Sequence, residues 1–316
     1  MRSKTSPLVL AGMVAVLGAV SAGCGTQAAS APKPTPLAVV NGQAITQSEW
    51  QAAVATTDIL QGAKLPTTTA AKKQQVTELA QQAAVNQWAL HNHIITAKTA
   101  SQEASAFVSQ NVASMLGGSS KIAAALKPYH VTESQVQSFL TQEMILQAAF
   151  SKATAKITSL PKGTGTAYYN AHKSQFVTPA QAEVRMILVK TQAEAQKLLG
   201  EIKAGSSFSA LAKKYSLDPS KAQGGSLGWV DLGAQSGFVP AFYQEMDKLK
   251  AGQYGIAHTQ FGWHVIEVQA LKPSAQQSYA TVKSQVQQSL LQQKKNAAFT
   301  AFVTGLMKKA RVTYHD

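Results

Sequence analysis

The apolar pattern opens with a short strand. Residues 37–40 are apolar, Asn41-Gly42 supplies a turn that favours positive φ, and a second extended piece follows to Thr46. Thr46 then begins a helix. Thr46 and Glu49 have the spacing of a capping box, flanked by Ile45 and Trp50 in the positions of a hydrophobic staple. Residues 72–100 read as one long helix, with Val76, Leu79, Ala83, Leu90 and Ile94 at spacings of three and four. The capping device recurs at Thr132 and Gln135, between Val131 and Val136. The helix it starts places Val136, Phe139, Leu140, Met144 and Phe150 on one face.

The pattern changes after residue 180. Residues 183–190 are rich in β-formers and suit a central strand. Residues 192–204 follow as a helix with Ala195, Leu198, Leu199 and Ile202 inward and Gly205 as its stop. A shorter helix groups Phe208, Leu211, Ala212 and Tyr215, and a loop with Asp218-Pro219 and Gly224-Gly225 comes next. Residues 227–230 are extended, a helix opens at Val239-Pro240 and ends near Leu249, and 255–256 and 259–268 read as a closing pair of strands. This β-α-α-β-α-β-β order predicts a small α+β domain, an antiparallel sheet covered by helices. Residues 274–310 then form a helix with a long apolar stripe that includes Tyr279, Val282, Val286, Phe299, Phe302 and Leu306. Such a stripe needs a partner. Packing onto the N-terminal helices and a free coiled coil are the two ways to cover it.

Composition adds an address. Residues 8–20 are an apolar run behind Arg2 and Lys4, too short to span a bilayer and suited to a secretory signal over residues 1–23. Ser21-Ala22-Gly23 before Cys24 resembles a bacterial lipobox, with Ser21 departing from the usual leucine. Cys24 is then the expected lipid attachment site, and an ordinary signal peptide with a chance cysteine is the alternative. Cys24 is the single cysteine of the chain, so no disulfide can form within it. Residues 24–36, Pro-rich and polar, read as a flexible tether. The formal charge is +14, of which residues 178–272 hold only +2, from ten basic and eight acidic residues. The flanking segments are therefore the basic ones. No nucleic-acid-binding signature accompanies that charge, so no nucleic-acid partner is expected, and a solvated basic face or an anionic cell-wall polymer accounts for it. His91 and His93 lie two apart on the expected helix, face different ways and make a poor metal pair.

Three fragments carry a resemblance. Residues 184–189 (Val-Arg-Met-Ile-Leu-Val), 215–229 with Asp218-Pro219 and Gly224-Gly225-Ser226-Leu227-Gly228-Trp229, and 259–268 with Phe261-Gly262-Trp263-His264 occur in the order and spacing of a parvulin-type (PpiC, rotamase) peptidyl-prolyl isomerase domain. Residues 40–46 resemble the opening of the chaperone module in SurA- and PrsA-type extracytoplasmic foldases, and 167–176 resemble the short helix before their parvulin domain. The resemblance implies a signal at 1–23, a tether at 24–36, an N-terminal helical chaperone module at 37–177, a parvulin domain at 178–272 and a C-terminal helix at 273–316 that packs back on that module. The fold class is then α+β, a parvulin domain inserted in a mainly α-helical SurA-like module.

The implied activity is peptidyl-prolyl cis-trans isomerisation in a foldase that assists exported proteins. It needs no cofactor and no metal, because an amide is twisted and no bond is broken. Leu227, Phe238 and Phe242 fall on the family's proline slot, Asp218 on the position facing the twisting carbonyl, and Thr259 and His264 on its polar network. Read singly, the apolar three could be core residues, Asp218 a turn residue and His264 a structural histidine. Met186 stands where the family usually has a second histidine, so a holdase with a weak or inactive isomerase domain is the alternative. The implied partners are unfolded or partly folded exported proteins with X–Pro segments and, through the lipid, the outer face of the cell membrane. Pairing of two copies through the helical module is left open.

Overall fold

The computed structural model describes residues 35–315, apart from 63 and 67. The expected signal, Cys24 and nearly all of the expected tether lie outside the described residues. The chain divides into two compact units. The first holds residues up to Leu160 together with those from Ser289 onward, and the second is Pro161–Gln288.

In the first unit, β1 (Ala38–Val40) and β2 (Gln43–Ile45) form a hairpin turned by Asn41 and Gly42, both at positive φ. Helix α1 (Gln47–Gln61) starts at Thr46, whose hydroxyl accepts from the Glu49 amide while Glu49 accepts from the Thr46 amide. The expected helix over 72–100 is two helices, α2 (Thr69–His91) and α3 (Ala97–Phe107). The break has a local cause. His93 takes positive φ, and Thr96 caps a new helix by accepting from the Thr99 amide. Apolar spacing alone does not register a one-turn change of direction, because Leu90 and Ile94 still reach one core. Short helical turns cover 108–129, and α4 (Glu133–Thr154) begins at the second capping box, with Thr132 and Gln135 in their expected roles.

Two apolar clusters hold this unit. One joins α1–α4 through side chains such as Val85, Ile122, Leu126, Leu140 and Ile145. The other places Val40 and Ile45 of the hairpin over Val76 and Ala80 of α2. Val303, with Phe299, Phe302 and Leu306, packs into the first cluster. The apolar stripe of the C-terminal helix thus finds its partner within its own chain, and a free coiled coil is not formed.

The second unit opens with α5 (Thr164–Ala171) and a two-residue pairing of β3 (Val177–Thr178) with β8 (Ala275–Gln276). Its centre is a four-stranded antiparallel sheet of β4 (Gln181–Val189), β5 (Ser226–Asp231), β6 (Gln253–Thr259) and β7 (Gly262–Lys272), in the order β5-β4-β7-β6. Strand alternation sends Ile187, Val189 and Val265 to one face, under α6 (Gln192–Lys203) and α7 (Phe208–Tyr215). Val184, Met186, Ile266 and Val268 go to the other, under α8 (Pro240–Met246). Helix α8 stops at Met246, short of Leu249. The final helix, α9, spans Tyr279–Met307 and not 274–310. Ser278 caps its start, and the residues beyond it form β9 (Val312–Tyr314), a third strand on the N-terminal hairpin. That strand is three residues long and pairs with residues about 270 positions earlier, so its sequence carries no local signal.

Candidate active site

The site lies on the α8 side of the second unit's sheet. Met186 pairs across the strands with Ile266, and His264 pairs with Leu188. Even-numbered residues of both strands share a face, so Met186 and His264 are diagonal neighbours on it. Met186 is buried among Val184, Phe242 and Met246, with Leu227 and Phe238 packed against the same cluster. Phe238 and Phe242 pack at a tilt with ring centres 4.6 Å apart, and Phe242 meets the His264 ring edge-on at 5.3 Å. Three residues from different elements thus form one apolar wall beside the histidine.

The polar part is short. Thr259 Oγ1 lies 2.8 Å from His264 Nε2, and the Phe261 amide donates to the same hydroxyl oxygen. Because that oxygen already accepts, its hydrogen is free to point at Nε2. His264 is only 5% exposed, and its Nδ1 has no hydrogen-bond partner among the described residues. A histidine on the diagonal would supply one; methionine fills the space without a comparable donor or acceptor. Burial holds the His264 pKa below its ordinary value, with the nearby Asp218 charge opposing that shift and His258 adding to it. Burial thus favours the neutral form of the imidazole.

Asp218 is half-buried and fixed at the start of a short helical turn, Pro219–Gln223, where its Oδ1 accepts from the Ser220 amide. Ser216 Oγ accepts from the amides of both Asp218 and Leu188, and the Leu217 amide donates to the Leu188 carbonyl. These bonds fasten the loop to the end of β4. Gly225 closes it: its carbonyl accepts from the Met186 amide, its φ is +81°, and a Cβ there would lie 2.4 Å from the Met186 carbonyl oxygen. A backbone oxygen cannot swing aside. Gly225→Ala is expected to cost about 2 kcal/mol of stability, from the positive φ and the forced displacement together, measured by urea denaturation.

The fold thus brings together Met186, Leu227, Phe238, Phe242, Thr259 and His264, with Asp218 near enough for its charge to act on His264. His93 sits in a turn and His91 at the end of α2. Among the described residues no group of three His, Cys, Asp or Glu is placed to hold a metal, and no helix is long and apolar enough to cross a membrane.

One feature of the first unit is not among the sequence expectations. A cleft between β2, α1, α2 and α4 is walled by the amides of Gln82, Asn86 and Gln142 over Ile45, Leu79 and Phe139. Beside it Gln82 Nε2 donates to the buried Glu143 carboxyl at 2.7 Å. Its signal in the chain is an amide stripe, Gln82 and Asn86 four apart on one helix and Gln135 and Gln142 seven apart on another.

Residues 168–272 match the family of PPIC-type PPIASE domains. The foldase protein PrsA of Clostridium botulinum (strain Loch Maree / Type A3) is 29% identical over 198 residues, which are 62% of this chain and 58% of that protein. The chain thus spans a little under three-fifths of the length of the curated relatives it matches. Among solved structures, a chain of the Campylobacter jejuni pair PEB4 and Cj1289, described as SurA-like chaperones, is similar at 24% identity and a TM-score of 0.44, covering 89% of this chain and all of that one. PrsA from Bacillus anthracis aligns at 19% identity and a TM-score of 0.35, covering 74% of this chain and 96% of that one. Residues 168–272 are thus a PPIC-type, or parvulin-type, domain, and the chain is similar to the PrsA foldases over 62% of its length.

Proposed function

We propose that the chain is a peptidyl-prolyl cis-trans isomerase and foldase that acts on exported proteins outside the cytoplasmic membrane. One observation carries the reading: an apolar slot of Leu227, Phe238 and Phe242 stands beside a buried Thr259–His264 pair and the Asp218 carboxylate. A planar amide places negative charge on its oxygen, and twisting returns that density to nitrogen. The uncatalysed barrier is about 18–20 kcal/mol. Seating the proline ring in the slot removes water that would stabilise the planar, charge-separated form. A carboxylate at Asp218 near the carbonyl disfavours that form further, so the twisted amide is bound better than either planar isomer. His264, held by Thr259, shapes the wall behind it, and its burial disfavours a positive charge there that would cancel the effect.

The test is the rate of cis-to-trans conversion in X–Pro peptides. Asp218→Ala and Asp218→Asn are both expected to lower kcat/KM about tenfold, a loss of roughly 1.4 kcal/mol in transition-state binding. An asparagine variant as fast as wild type would remove the charge from the mechanism. A wild type that never exceeds the uncatalysed rate would remove the activity.

A second reading, a holdase with a vestigial isomerase domain, draws on the His264 Nδ1, unpartnered among the described residues and diagonal to Met186, and on the amide-walled cleft of the first unit. Suppression of client aggregation that is equal in wild type and Asp218→Ala would favour it. The expected placement, with residues 1–23 removed, Cys24 lipidated and residues 24–36 as tether, belongs to the same proposal. So do the domain limits at 37–177, 178–272 and 273–316, and further contacts with anionic wall polymer or a second copy. Loss of membrane retention in Cys24→Ala tests the anchor.

A further inference from the structure

We propose that Ser216 is a positioning residue for the isomerase: its hydroxyl stands in for a missing strand partner at the end of β4 and so fixes where the Asp218 carboxylate sits. The inference rests on the isomerase reading above. Strand β5 pairs with β4 only from Gln181 to Arg185, and the Gly225 carbonyl then accepts from the Met186 amide. Leu188 lies beyond that point. Alternate residues of a strand turn their backbone groups to the same edge, so the Leu188 amide and carbonyl face the side that β5 has left. Two groups of the following loop take both. The amide donates to Ser216 Oγ at 3.1 Å, and the carbonyl accepts from the Leu217 amide at 2.8 Å. A side-chain oxygen thus occupies the place of a strand carbonyl.

The same oxygen holds Asp218. It accepts from the Asp218 amide at 3.2 Å, and Asp218 Oδ1 accepts from the Ser220 amide at 2.8 Å. The backbone of Asp218 is therefore fixed by Ser216 and its carboxylate by Ser220. Ser216 is itself a fixed point: it is 3% exposed, and its amide donates to the Ala212 carbonyl of α7 at 3.0 Å. Leu188, which it grips, is the β4 residue in register with His264. One hydroxyl thus ties the loop that carries the carboxylate to the strand pair that carries the imidazole. A hydroxyl oxygen has two lone pairs and can serve both amides, whereas an alanine methyl serves neither. A serine that only closed the loop would add stability with no link to Asp218.

The experiment uses the full chain and compares wild type, Ser216→Ala, Asp218→Ala and the double variant on the same X–Pro peptides, with urea denaturation as the folding control. Ser216→Ala is expected to lower kcat/KM about fivefold, within the loss expected of Asp218→Ala. In the Asp218→Ala background it is expected to cost nothing further, because no carboxylate is left to place. The His264 ring gives a second readout. Burial lowers its pKa, the Asp218 charge opposes that and His258 adds to it, so its titration by NMR is expected to move further down in Ser216→Ala and to stay put when Asp218 is already absent. If Ser216→Ala does not fold, Ser216→Cys, similar in shape and a weaker acceptor, carries the same comparison. An equal rate loss with and without Asp218, no rate loss at all, or a His264 titration that Ser216→Ala leaves unmoved overturns the inference and leaves the isomerase reading intact. A wild type that accelerates no peptide overturns both.

Discussion

Replacing Met186 with histidine raises kcat/KM for X–Pro peptides by about one to two orders of magnitude. The expectation comes from one atom. His264 Nδ1 is buried without a hydrogen-bond partner among the described residues, and Met186 occupies the diagonal position on the same face of the sheet. A polar atom left unpaired in an apolar surround keeps its full desolvation cost, and among the described residues the ring it belongs to is hydrogen-bonded through Thr259 and packed against Phe242. A second imidazole at 186 can donate to or accept from Nδ1, fixing both the tautomer and the ring plane. Leaving a buried polar atom unsatisfied costs about 1–3 kcal/mol, which converts to about that range of rate. Met186 is 6% exposed in a cluster with Phe242, so histidine enters a space of comparable size. The measurement is the isomerisation rate of the two proteins on the same peptides, with thermal unfolding as the control for folding. Equal rates in two folded proteins would show that the histidine pair has no part in the rate.

Glu143→Gln stabilises the protein by about 3 kcal/mol at pH 8 and hardly at all at pH 4.5. Burial pushes the Glu143 carboxyl up to about 7, against 4.5 when exposed, and the Gln82 hydrogen bond opposes that only in part. The sign follows from linkage. Below pH 4.5 the group is protonated whether the chain is folded or unfolded, and its full contribution is present. As the pH rises from 4.5 to about 7, the unfolded chain releases the proton and the folded one keeps it, so stability falls. Above 7 both forms are ionised, and the folded unit holds a carboxylate with a neutral amide as its partner. Each pKa unit is worth about 1.4 kcal/mol, which gives the ~3 kcal/mol span. Glutamine keeps an acceptor for Gln82 and cannot ionise. Urea denaturation of the two proteins between pH 4.5 and 8 checks it, and the difference between them cancels every other titrating group. A constant difference across that range would mean that Glu143 keeps an ordinary pKa.

The helical boundaries that carry caps are legible in the chain itself. Thr46 with Glu49 and Thr132 with Gln135 form both halves of their capping boxes. The order of strands and helices in the second unit is equally legible, because alternation and helical periodicity are local properties of a dozen residues. The break at His93 is not, since it preserves the apolar face on both sides. Nor is β9, whose partner lies at the opposite end of the chain.

The site divides in the same way. The residues at 186, 218, 227, 238, 242, 259 and 264 can be named as candidates because their spacing resembles a family. Their meeting is a tertiary fact. The register of β4 against β7 puts Met186 diagonal to His264, and the antiparallel turn after β6 brings the Thr259 hydroxyl to within 2.8 Å of Nε2. A shift of one residue in that register would send every side chain to the other face of the sheet. The sequence by itself determined which elements form and which side chains are available, since caps and periodicities act within a few residues. Only the tertiary structure decided that His264 Nδ1 is left without a partner and that Glu143 is held where its charge is costly, because burial is a property of what packs around a residue from far along the chain.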